Sequence, residues 1–110
     1  MAKDPVQPET RAVLVQAMQE TVAVANAHGV GMEAGVAEEW CQMIAGTPPS
    51  MTCSTHKDVA AGKPSEVDGL CGAVIRLAKA ATPPVPTPTH ALAWALLLPG
   101  EKRARGELVY

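Results

Sequence analysis

The chain has 110 residues, 47% of them hydrophobic, with two Trp, one Tyr, no Phe and a formal net charge of -2. That length suits one domain with a modest core, and a core of Ala, Val, Leu and Met favours closely packed helices over a sheet. The charge balance argues against nucleic acid or an anionic membrane as partner, and no run approaches the ~18 apolar residues of a membrane-spanning helix.

The N-terminus, MAKDPVQPET, is polar and lacks the apolar stretch of a signal peptide. Cys41, Cys53 and Cys71 are an odd set without a close pair, as expected of a reduced, cytoplasmic protein. The first helix is expected from about Glu9 to His28, with Pro8 in its first turn and Gly29 at its end. Val13, Ala17 and Val24, with Leu14, Met18, Val22 and Ala25 offset, give it a wide apolar face. A second helix is expected to start at Met32 or Glu33 and to carry Val36, Trp40, Met43 and Ile44. The Gly46-Thr47-Pro48-Pro49 run ends it. A short helix is expected over Ser54–Ala61, stopped by Gly62 in a left-handed conformation. Ser65 is expected to cap a long helix to Ala81, with Asp68 closing a short capping box. Its buried stripe is Val67, Cys71, Val74 and Ala78, with Leu70 and Leu77 beside it.

Four prolines between Thr82 and Pro88 exclude regular structure there. Thr87-Pro88 then reads as an N-cap and first-turn proline. The last helix carries Leu92, Trp94, Ala95, Leu96 and Leu98, and Pro99-Gly100 is expected to stop it, leaving 99–110 as a frayed charged tail outside a single helical domain of residues 1–98. The reading is therefore all-α, a bundle of about five helices.

Two residues bracket the central loop. Ser54 stands where a short helix begins, and Glu66 stands twelve residues on, where the next begins. A serine before a helix commonly caps it, and a first-turn carboxylate is stabilised by the helix dipole by roughly 0.3–1 kcal/mol. Together they could also present a hydroxyl and a carboxylate to one ligand. His28, His56 and His90 share no metal-ligand spacing. Trp40 and Trp94 lie on apolar stripes and read as core.

Several linked motifs carry a resemblance: Pro48-Pro49, Ser54, Asp58, Gly62-Lys63-Pro64-Ser65-Glu66-Val67-Asp68, Gly72-Ala73-Val74-Ile75-Arg76-Leu77, and Val85-Pro86-Thr87-Pro88-Thr89-His90 followed by Leu96-Leu97-Leu98-Pro99. In this order and spacing they resemble the helical C-terminal domain of ketopantoate reductases, NADPH-dependent hydride-transfer enzymes whose C-terminal domain is of the 6-phosphogluconate dehydrogenase-like type. Ser50-Met51 also spells the family's Ser-Met, but only Ser54 keeps the four-residue step to Asp58 and the twelve-residue step to Glu66.

The resemblance implies that Ser54 hydrogen-bonds a small 2-keto acid and that Glu66 accepts bonds from substrate or ribose hydroxyls. Lys63 replaces the family's Arg and reads as a solvated loop residue, with a place near a ligand as the alternative. Cys71 stands where the family commonly has Asn. The family's catalytic lysine lies upstream in a helix that opens the domain, and Lys3 is too near the start to be its counterpart. No Gly-x-Gly-x-x-Gly follows a strand, so a Rossmann domain is expected to be absent. No catalytic, cofactor-binding or metal residue is therefore assigned, and NADPH is implied only for a full-length member. The expected role is the substrate-binding and dimerisation half of a 2-keto acid reductase. The expected partners are a second copy, packed through the first and third long helices, and a Rossmann domain or subunit. The alternative is a stand-alone helical interaction or scaffold protein derived from that domain.

Overall fold

The computed structural model describes residues 7–48 and 52–107. Lys3, Pro49, Ser50-Met51 and the last three residues of the tail lie outside that range. Within it the chain is all-α, with five helices and no strand among the described residues: α1 Pro8–Ala27, α2 Val36–Ala45, α3 Ser54–Ala60, α4 Ala73–Ala80 and α5 Pro88–Ala104. A π-helical turn, Asp68–Gly72, leads into α4.

α1 begins at its proline and ends at His28. Gly29 and Gly31 follow at φ 86° and 75°, a left-handed region where glycine carries no Cβ penalty. α2 starts three to four residues later than expected because Met32 is held outside it. The Met32 N–H donates to Asn26 Oδ1 at 2.6 Å, and Asn26 Nδ2 donates to the Met32 carbonyl at 3.1 Å. α3 matches its expected span to within a residue, and Gly62 closes it at φ 70°.

The helix expected over 65–81 is less regular. Helical backbone begins at Val67, passes through the π-turn and continues as α4 to Ala80. Asp68 closes no capping box. It pairs with Arg76 instead, at 2.9 Å, across the turn. A Cβ on Gly72 would come within 2.6 Å of Asp68 Oδ1, so the bridge runs where a side chain would stand. The π-turn breaks the 3.6-residue register. Val67 and Ala78 are buried, Cys71 and Val74 half-buried, and Leu70 is exposed.

The largest correction lies at the C-terminal end. Pro99-Gly100 does not stop α5, which runs on to Ala104 and ends at Gly106, φ 77°. Residues 101–105 are anchored rather than frayed. Glu101 is buried and accepts from the Ser65 N–H at 2.9 and 3.1 Å and from the Ser65 hydroxyl at 2.8 Å. Arg105 donates to Glu101 at 2.9 Å and to the Ser65 carbonyl at 3.1 Å. Ser65 also accepts from the Val67 N–H, so one serine ties the start of the α4 segment to the end of α5.

The other end of α5 is held by α1. Thr87 occupies the N-cap position but makes no capping bond with its side chain. Glu20 replaces it: its carboxylate accepts from the N–H of Thr89 at 2.9 Å, the N–H of His90 at 3.1 Å and His90 Nδ1 at 2.8 Å. Three donors thus meet a carboxylate whose side chain is only 8% exposed. Burial would raise the Glu20 carboxyl, but the His90 ring and the two N–H groups outweigh it and hold the group below its ordinary value. The Ser65 N–H and hydroxyl, helped by Arg105, hold Glu101 low against its burial.

Both groups titrate lower folded than unfolded, where the ordinary value is 4.5. Their contribution is complete above that value and is lost as pH falls through the folded pKa. A Glu20→Gln/Glu101→Gln variant should be less stable than wild type near neutrality, and the gap in urea midpoint should narrow as pH falls from about 5.5 through the ordinary value and on below the folded pKa. A gap that stays constant over that range would locate the acid-sensitive groups elsewhere.

α1 packs on α2, α4 and α5, and α5 also packs on α4 and its π-turn. The buried apolar residues are small: Val24, Ala37, Cys41, Val67, Ala78 and Ala81. Neither tryptophan is fully buried; Trp40 is 38% exposed and Trp94 half-buried. Leu14, Met18 and Val22 are half-buried; the open apolar surface includes Val13 of α1, Val30 after it, Met43 of α2, Leu70, Leu77 of α4, and Leu92 and Leu96 of α5. The radius of gyration, 15.4 Å, exceeds the ~13 Å of a compact domain of this size.

Candidate functional site

α3 and the loop after it form one wall of the molecule. Cys53, not Ser54, caps α3: its Sγ accepts from the His56 N–H at 3.4 Å. Ser54 is therefore the first helical residue, exposed, with a hydroxyl that bonds no described residue. The same division recurs twelve residues on. Ser65 is buried and bonded to Glu101, whereas Glu66 beside it is exposed and in no ion pair. Ser54 and Glu66 flank the same α3–loop segment. They share no hydrogen bond, and neither lines one of the clefts described below.

A cleft of about 400 Å³ opens between α1, α3, the π-turn and α5, lined by Thr21, Thr55, Val67, Leu70, Cys71, Val74, His90 and Leu97. Its wall is mostly apolar, with Thr21, Thr55 and His90 as polar points. Thr21 Oγ1 donates to the Ala17 carbonyl at 3.0 Å and lies 3.3 Å from His90 Nε2. Cys71 donates its thiol to the His90 carbonyl at 3.3 Å. Burial pushes the Cys71 thiol up, and the Glu20 charge adds to this. A protonated thiol is a poor nucleophile and a poor metal ligand. Cys71 thus fastens the π-turn to α5. Asp58, on α3, is half-buried.

A groove of about 350 Å³ runs between α1 and α4, with His28 at its rim. His28 Nε2–H donates to the Leu77 carbonyl at 2.8 Å and so links the two helices. His56 stays on the surface of α3. Among the described residues no group of His, Cys, Asp and Glu could hold a metal ion. Among them, too, no helix is long and apolar enough to cross a membrane.

A family model described as "Ketopantoate reductase PanE/ApbA C terminal" matches residues 3–101. The chain belongs to that family. The match spans the Ser54–Glu66 segment, the π-turn and α5 up to Glu101. No curated protein matches the chain, and no solved structure does. Set against the ketopantoate reductase pattern, the structure adds two anchors that the motifs do not spell out. Glu20 receives the Thr89-His90 end of α5, and Glu101 receives Ser65 of the Gly-Lys-Pro-Ser-Glu run. Glu20 lies mid-helix, where sequence suggests only a solvated carboxylate. Its one local hint is that it shares a helical face with the buried Val24.

Proposed function

We propose that the chain is the substrate-binding and dimerisation half of an NADPH-dependent 2-keto acid reductase of the ketopantoate reductase family. The observation that carries this is the uncommitted state of Ser54 and Glu66. The neighbours Cys53 and Ser65 do the local structural work, which leaves a hydroxyl and a carboxylate exposed at the two positions where the family places its substrate contacts. In this reading the Ser54 hydroxyl donates to an oxygen of the keto acid and Glu66 accepts from a hydroxyl of substrate or ribose. The service is orientation of the keto carbon toward the hydride donor. In this reading the nucleotide belongs to a Rossmann domain or subunit that meets this one.

The dimer rests on exposed apolar side chains. Leu92 and Leu96, one turn apart on α5, are 63% and 73% exposed, and Leu70 and Leu77 are half-exposed. Burying such surface is favourable by roughly 25 cal/mol per Å², and symmetric pairing is the usual way an identical partner supplies the cover.

NADPH fluorescence and light scattering test the two halves of this reading. The chain alone should leave NADPH fluorescence unchanged and should scatter as a dimer at low micromolar concentration. Saturable micromolar NADPH binding would refute the division of labour, and a stable monomer without aggregation would refute the dimer.

A further inference from the structure

The loop after α3 and the last turns of α5 enclose a second cleft, of about 270 Å³, that the reading of Ser54 and Glu66 does not use. Its floor is apolar, from Val59 and Leu97, and two cations, Lys63 and Arg103, line it. Both are exposed, and neither side chain has an ion-pair or hydrogen-bond partner among the described residues. The one carboxylate in its wall, Glu101, is already occupied by Ser65 and Arg105. Three other cations are ion-paired: Arg76 with Asp68, Arg105 with Glu101 within α5, and Arg11 with Glu38 between α1 and α2. Lys57, Lys79 and Lys102 form no ion pair among the described residues, but none of them lines this cleft. Two uncompensated cations over an apolar floor in a chain of net charge -2 make a local site for negative charge rather than one face of a general basic surface. The volume of about 270 Å³ lies near the ~300 Å³ lower end of small-molecule pockets, room for a compact ligand.

We infer that the cleft between Lys63 and Arg103 binds a small organic acid, its carboxylate held between the two cations and its short aliphatic body on Val59 and Leu97. An arginine fork gives a carboxylate two parallel bonds, and the lysine adds a point charge. The inference rests on this cleft alone and does not require a substrate at Ser54 or Glu66.

Isobutyrate is the probe, and its uncharged analogue isobutyramide is the control. In amide chemical-shift titrations isobutyrate should move Gly62, Lys63, Arg103 and Ala104, while isobutyramide should leave them in place. Each of Lys63→Gln and Arg103→Gln should weaken isobutyrate about tenfold, the loss of one charge-assisted hydrogen bond, and the double variant should abolish it. Salt near 1 M, where screening acts within ~3 Å, should weaken it strongly. Lys79→Gln, which removes an exposed cation of α4 that lines none of the clefts described, should leave the titration unchanged, which separates a local site from a general loss of positive charge. Equal shifts from isobutyramide, binding that survives in the double variant, or shifts that avoid these four residues would each overturn the inference. The comparison of the two probes on wild type decides the matter even if a variant folds poorly.

Discussion

Glu20→Ala should lower the stability of the chain by about 3 kcal/mol, the largest effect expected of any single polar substitution. The carboxylate serves three donors at once: the Thr89 N–H, the His90 N–H and the His90 ring. Alanine leaves these donors in a part-buried site without an acceptor, at a cost of about 1–3 kcal/mol for a stranded group and about 1 kcal/mol for a lost cap. Glu20→Gln keeps one carbonyl oxygen and the volume, so about half that loss is expected. Urea denaturation read by helical circular dichroism measures this. The midpoint should fall while the slope stays constant. A loss below about 0.5 kcal/mol, the ordinary result of a surface change, would mean that α5 does not depend on α1 for its cap.

Pro99→Ala should stabilise the protein by about 1–2 kcal/mol. Pro99 lies inside α5, with helix on both sides. A proline there leaves the carbonyl four residues back, that of Ala95, without its donor and costs about 3 kcal/mol in a helix interior. Alanine restores the N–H, against ~1 kcal/mol for a more flexible unfolded chain. The melting temperature should rise by about 4–8 °C per kcal/mol. A helix that ended before Pro99 would give no gain, so the substitution separates a continuous α5 from one broken by Pro-Gly.

Local signals carried most of the element boundaries. Pro8 and Gly29 frame α1, Gly62 closes α3, and the prolines from Pro83 to Pro86 keep the segment before α5 irregular. Each is a backbone preference that acts within a few residues. Three of the failures share one cause, a partner beyond the local turn. Pro99-Gly100 is strong punctuation, but Glu101 bonds Ser65, 36 residues away, and the helix continues. Ser65 reads as a cap paired with Asp68, yet its hydroxyl goes to that same carboxylate, and Asp68 turns to Arg76. Thr87 has the composition of an N-cap, but Glu20 supplies the acceptor from across the molecule. At α3 the error was one position: Cys53 caps, and Ser54 is left open. Thiols rank low as caps, so composition pointed to the serine. The family motifs placed Ser54 and Glu66 on the same segment, but spacing could not tell that both side chains remain uncommitted.

Binding of a hydroxyl-bearing 2-keto acid to the chain, followed by calorimetry on wild type, Ser54→Ala and Glu66→Ala, tests the substrate-half reading most directly. Wild type should bind with measurable heat. Each substitution should weaken binding about tenfold, the cost of one hydrogen bond to a charged group, while Thr55→Ala in the central cleft should leave it unchanged. Unaltered affinity in both the Ser54 and Glu66 variants would contradict the account.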